Sequence, residues 1–173
     1  MAYRYALYPG RGNFLQNLSL TNKLIILNLA FYLVSLFIFA VYGEGVFLDN
    51  IALTPLHISQ GKSLWTFATS MFSHIMFFHV FANMFTLFFI GNFLERIIGK
   101  KRLLGVYLVS GLVGGIFFVL SGLFFSNSSS GIGASGAIFG LLGILSVLVP
   151  YSKIYLIAGP LVLILLQVVL GSI

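Results

Sequence analysis

Charged residues are so sparse along this chain that they act as punctuation between long apolar runs. Lys23 and Glu44 bracket one run, Lys62 and Glu95 bracket a second, and nothing charged occurs between Arg102 and Lys153. A bilayer core takes about 20 apolar residues per helix. The spacing therefore predicts membrane helices at 24–42 and 75–94, and two more within the uncharged stretch, at 103–125 and 132–149. The break between that last pair falls on the serine-, asparagine- and glycine-rich segment 126–131, whose residues favour turns. Pro150 ends the fourth helix. A fifth is expected over 154–173, with Pro160 accommodated as a kink. The segment 43–74 reads as a loop between the first two helices. With no internal repeat, the pattern describes one all-α integral membrane domain covering residues 1–173.

Composition agrees. Of 173 residues, 60% are hydrophobic and 7% are charged, against about 25% charged in soluble domains. There is no cysteine, which excludes a disulfide framework and thiol chemistry. The first 20 residues hold no apolar core of the kind a cleavable signal needs. The net charge of +6 would suit nucleic acid in a soluble protein. In a membrane chain it reads as basic cytoplasmic loops, so the bilayer and no nucleic acid is the expected partner. With the N-terminus inside, the inner segments collect Arg4, Arg11, Lys23, Arg96, Lys100, Lys101, Arg102 and Lys153, and the outer ones only Lys62. That asymmetry fixes the direction. It puts the 43–74 loop and the 126–131 turn on the outer side. The short N-terminus fits a prokaryotic plasma membrane.

This orientation brings three polar residues to one depth. Ser135 lies one turn inside the outer end of the fourth helix, within Gly131–Gly140. His79 and Asn83 lie near the outer end of the second and, four apart, share a face. Polar groups inside a membrane are expensive and tend to be paired or functional. Each also has a plain structural reading. Gly133, Gly136 and Gly140 form a small-residue stripe, and the G-x-x-x-G of Gly136 and Gly140 lets helices approach closely. Ser135 would then be one more small residue, His79 an interhelical hydrogen bond, His74 an interfacial anchor, and Trp65 part of an aromatic belt. Glu95-Arg96 through Arg102 would be a solvated turn bent at Gly99. The soluble-hydrolase pattern G-x-S-x-G is not met, because residue 137 is alanine. His74 and His79 are five apart, off a single face, so no metal is expected, and no cofactor. A small transporter would need ionisable residues at mid-membrane, and the first, third, fourth and fifth helices have none.

Taken in order, these residues resemble the rhomboid family of intramembrane serine proteases over roughly Trp65 to Gly143. The matching features are the histidine-rich opening of the second helix (His74, His79, Asn83), the turn Glu95-Arg96 with Gly99, and Gly133-Ala134-Ser135-Gly136 followed by Ala137 and Phe139. The resemblance implies a rhomboid-like helical bundle that hydrolyses peptide bonds in or near substrate transmembrane helices. It implies Ser135 as nucleophile, with His79, Asn83 and the Ser135 backbone N–H as oxyanion hole. His74 would brace the outer loop, Phe139 would pack against the catalytic histidine, and the glycines would allow close packing.

One part of the pattern is missing. The family's general base is a histidine on a sixth helix, but His57, His74 and His79 all precede Ser135. No general base is found in this chain. A serine hydroxyl without a base is a weak nucleophile, and Lys153 lies ~27 Å along a helical path on the inner side. The expectation is therefore five helices without the sixth, a glycine stripe open on one side, and no proteolysis by these residues alone. A fragment of a protease, an inactive helix-binding relative and a protease completed by another chain all fit; substrate and oligomeric state are not legible.

The topology is directly testable. With an impermeant thiol reagent, Ser129→Cys is expected to label from outside and Lys101→Cys only from inside. The reverse pattern would overturn the placement of Ser135, His79 and Asn83 in the outer half of the membrane.

Overall fold

The computed structural model describes residues 18–126 and 129–149. The expected helix at 154–173, Pro160, Arg4, Arg11 and Lys153 lie outside them. The described residues are helical, and the single β-type pairing is an isolated bridge between Leu53 and Gly131. Helix α1 covers Leu20–Asn50, short α2 and α3 cover Pro55–Ser59 and Thr66–Thr69, α4 covers Phe77–Ile98, α5 covers Lys100–Phe124 and α6 covers Ser135–Leu148. Among the described residues, α1, α4 and α5 are long and apolar enough to cross a membrane, and α6 is a shorter apolar helix.

Helix α1 begins four residues before the expected position, and the reason lies far along the chain. Ser19 is its N-cap, accepting a hydrogen bond from the Asn22 N–H at 3.1 Å. Two further N–H groups of the first turn, on Leu20 and Thr21, donate to the Glu95 carboxylate at 2.9 and 2.8 Å, and the Thr21 hydroxyl joins them at 2.8 Å. A carboxylate at a helix N-terminus satisfies orphan donors and complements the helix dipole. Asn92, one turn before Glu95, accepts from the Ser19 hydroxyl at 2.9 Å. Gly91 leaves room for Thr21: a Cβ there would lie 2.6 Å from the Thr21 methyl. Glu95 is thus a cap for α1, which corrects its reading as part of a merely solvated turn. Gly99, at φ 80°, does make the bend into α5.

At its other end α1 breaks at Gly43, whose φ of 82° and ψ of 173° leave the helical region before the chain resumes to Asn50. The expected end of the first span at Tyr42 coincides with this break. Two turns into α1, the buried Asn28 amide donates to the Leu24 carbonyl at 2.8 Å and to the Tyr107 hydroxyl of α5 at 3.1 Å. Helix α4 is central: half of its most apolar window is buried, against 17% for α1 and 22% for α5. Leu87, Ile90 and Leu94 of α4 meet Leu103 and Tyr107 of α5 and Ile138 and Leu141 of α6 in one core.

Removing the Glu95 carboxylate strands the donors at the start of α1. Glu95→Ala is expected to lower the unfolding free energy by about 1 kcal/mol, the usual worth of a helix cap, and Thr21→Val by less. Denaturation in mixed micelles measures both, and an unchanged Glu95→Ala protein would remove the cap from this account.

Candidate active site

The approach to α6 is built by stitching rather than by side-chain packing. Leu53 and Gly131 exchange backbone hydrogen bonds, each 2.9 Å, and the hydroxyls of Thr54 and Ser130 meet at 2.8 Å. The Gly133 N–H donates to the Ser70 carbonyl at 2.8 Å. These bonds tie the 129–134 segment to the outer loop and deliver Ser135 as the first residue of α6.

Gly133 sits at φ 116°, where side chains are rarely tolerated, and its backbone lies against the α4 polar pair. A Cβ there would fall 2.5 Å from His79 Nε2 and 3.6 Å from Asn83 Nδ2. His79 is half-buried in the first turn of α4, and its ring stands edge-on to His74 with centroids 4.9 Å apart. His74 is fully buried in the lead-in to α4. Burial, with a smaller contribution from neighbouring His79, pushes the His74 imidazole down to about 3. It is therefore neutral at ordinary pH, and its contacts select one tautomer. Nδ1–H donates to the Phe72 carbonyl at 3.2 Å, leaving Nε2 to accept from the Ala134 N–H at 3.4 Å and from Asn83 Nδ2 at 3.1 Å.

Asn83, also buried, donates its second amide hydrogen to the His79 carbonyl at 3.1 Å. Both Asn83 donors are thus engaged, while its Oδ1 is buried without a partner. Donation to an oxyanion requires Asn83 to release one of these bonds.

Ser135 is half-buried and borders a cavity of about 210 Å³, shared with Ser70, Met71, Gly114 and Phe118. No side chain caps α6, because Ala134 holds the N-cap position. The first-turn N–H groups there carry the positive end of the helix dipole. The polar pair of α4 meets Gly133, two residues before Ser135, because the positive φ turns backbone rather than side chain toward the imidazole.

The glycine stripe makes the close approach its small residues allow. Gly136 packs on α5, with a Cβ on Gly114 only 3.3 Å from the Gly136 Cα, and Gly140 sits against Ser110. Helix α5 lies against Gly136 and Gly140 and His79 lies against Gly133, while all three glycines remain half-buried. The α5 partners are Gly111, Gly114 and Ser110, which follow the same small-residue rule. Phe139 is 44% exposed. Sequence reasoning also missed Ser70, whose carbonyl holds Gly133; a backbone acceptor leaves no compositional signal. Among the described residues no group of acidic, histidine or cysteine side chains could hold a metal ion.

Comparison with known proteins now adds to this geometry. The Rhomboid domain family matches residues 61–173. The chain belongs to the rhomboid family. It is 40% identical over 92 residues to RHOMBOID-like protein 1 of Arabidopsis thaliana, covering 53% of this chain and 23% of that one. Over 86 residues it is 33% identical to Inactive RHOMBOID-like protein 8 of the same plant, covering 50% and 23%. The longest of these matches, 28% over 170 residues, is to the mitochondrial RHOMBOID-like protein 12, covering 88% and 50%. The chain thus spans half the length or less of these curated relatives. Family membership and the apolar helices together make it an integral membrane protein of rhomboid type.

Gly133 is the tightest point of the site. Gly133→Ala is expected to destabilise by about 3 kcal/mol, combining a strained φ with overpacking. His79→Ala in the same protein is expected to recover only the steric part. Full recovery in the double variant, measured by unfolding, would show that the backbone at Gly133 carries no strain.

Proposed function

We infer that this domain is an intramembrane serine endopeptidase of rhomboid type, with Ser135 as nucleophile. The observation that carries this reading is the junction of His74, His79 and Asn83 with Gly133 and Ala134, the two residues leading into Ser135. Attack by the Ser135 hydroxyl on a substrate carbonyl makes a tetrahedral oxyanion. The uncapped N-terminus of α6 offers backbone donors to it, and Asn83 and His79 stand on the neighbouring helix. Such preorganised donors are worth about 3 kcal/mol each when aimed at the developing charge. His74 positions Asn83 and the Ala134 N–H through one nitrogen. Gly136 and Gly140 hold α6 against α5, so that the first turn cannot drift from the histidines.

The substrate is a protein with a transmembrane helix, cleaved in or near that helix. The N-terminus lies in the cytoplasm and the site opens to the outer side, on the distribution of basic residues. Placement in a prokaryotic plasma membrane belongs to the same proposal; the relatives named above are plant proteins.

The second reading is a rhomboid-like protein that binds transmembrane helices without cutting them. The specific observation for it is the likeness to a relative named as inactive.

The two readings separate in one assay. These 173 residues, reconstituted with a helical substrate, are expected not to cleave it, since general-base assistance contributes about 10²–10⁴-fold. Extended by an apolar helix carrying one histidine in its outer half, the protein is expected to cleave. Ser135→Ala should then abolish cleavage, and substitution of His79 or Asn83 should weaken it. Cleavage that survives Ser135→Ala would return the serine to a packing role. An extended protein that binds helices and never cuts them would favour the second reading.

A further inference from the structure

Away from Ser135, the outer loop forms a second polar concavity that the proteolytic reading does not use. It measures about 630 Å³ and is lined by Asp49 and Asn50 from the end of α1, by His57 of α2, and by residues between α2 and α3, among them Gln60, Lys62 and Trp65. That volume lies within the range of about 300–1,000 Å³ typical of small-ligand sites.

Its walls are held in place. The α2 end is closed by paired bonds, Gly61 N–H to the Ile58 carbonyl and Lys62 N–H to the His57 carbonyl, both 2.9 Å, with Gly61 at φ 71°. Ser63 follows at φ 52°, an uncommon conformation for a residue with a side chain. Its hydroxyl donates to the Asp49 carbonyl at 2.6 Å, and the Trp65 indole N–H donates to the Asn50 carbonyl at 3.0 Å. The strained serine and the tryptophan thus clamp the end of α1 onto the loop.

The charges in this clamp are only partly matched. Asp49 approaches His57 at 3.6 Å, yet 63% of its side chain is exposed. Among the described residues Lys62 makes no ion pair. The concavity therefore presents an available ammonium and an available carboxylate together. Around it, Leu56, Leu64 and Trp65 are each 56% exposed, an apolar rim with an aromatic of the kind enriched where headgroups meet acyl chains.

We propose that this concavity binds the headgroup of a zwitterionic phospholipid with a primary ammonium, of the phosphoethanolamine class. Lys62 takes the phosphate, Asp49 accepts from the ammonium, and Leu56, Leu64 and Trp65 meet the start of the acyl chains. A primary ammonium fits better than a quaternary one because Asp49 offers a hydrogen-bond acceptor, whereas recognition of choline relies on an aromatic cage and Trp65 is the one aromatic in this lining. An anionic headgroup fits worse, because the 43–74 segment carries Glu44 and Asp49 against Lys62 alone. This inference is independent of the proteolytic reading.

The test measures relative association of lipids with ethanolamine, choline and glycerol headgroups to the full 173-residue chain in detergent, by lipid exchange and native mass spectrometry. The expected preference for ethanolamine over both others is roughly fivefold, the size that one well-placed exposed charge pair supplies. Lys62→Gln and Asp49→Asn should each abolish it. Because the ratio is read within each variant, a general loss of stability does not enter. Water-soluble glycerophosphoethanolamine, without acyl chains, is expected to compete poorly. Equal association of the three lipids, a preference for the glycerol headgroup, survival of the preference in either variant, or equal competition by the soluble compound would each overturn the proposal.

Discussion

The site depends on α6 meeting α5 at backbone distance. In a bilayer, lipid tails are as apolar as leucine, so helices gain little from burying apolar surface against each other and rely on close packing and hydrogen bonds. Gly136 over Gly114, and Gly140 over Ser110, give the contact its closeness. Everything that matters about Ser135 follows from it. The first turn of α6 is fixed against α5 on one side, and on the other Gly133 and Ala134 fall against His79 and His74. A side chain at any of these small positions would move the serine relative to the imidazoles before it touched the chemistry.

Hydrogen bonds then set the direction of each polar group. His74 is the shared acceptor for Ala134 and Asn83, and it can serve both only as a neutral ring with its proton on Nδ1. Its burial enforces that state. Asn83 in turn spends both amide hydrogens inside the protein. The resting site is a closed network whose donors become available by exchange, with the buried Asn83 Oδ1 as its one unsatisfied corner.

Much of this could be read from residue order. The sparse charges marked the helices, Gly43 and Gly99 marked the breaks, and His74, His79, Asn83 and Ser135 stood out as polar residues at one depth. What escaped the sequence was partnership across distance. Glu95 looked like a residue of a wet turn because nothing local says that it reaches the start of α1, 75 positions earlier. The glycine stripe was legible, but its partner was not: α5 carries its own small residues, and a pattern of small residues does not say which helix it faces. The Ser70 carbonyl was invisible for a simpler reason, since every residue has one. The start of α1 moved by four residues because its cap, rather than hydropathy, decides where winding starts.

One pairing bears on how the chain is made. Asn28 lies buried in α1, and its side chain reaches Tyr107, 79 residues further on. The capping carboxylate of the same helix is almost as remote. During synthesis α1 therefore leaves the ribosome before Tyr107 and Glu95, the distant partners of its Asn28 amide and of its Leu20 and Thr21 N–H groups. Until these follow, this helix has no fixed neighbour and no fixed rotation about its axis. Packing against α4, with Tyr107 bonded to Asn28, then fixes α1, so this helix is completed by segments that follow it.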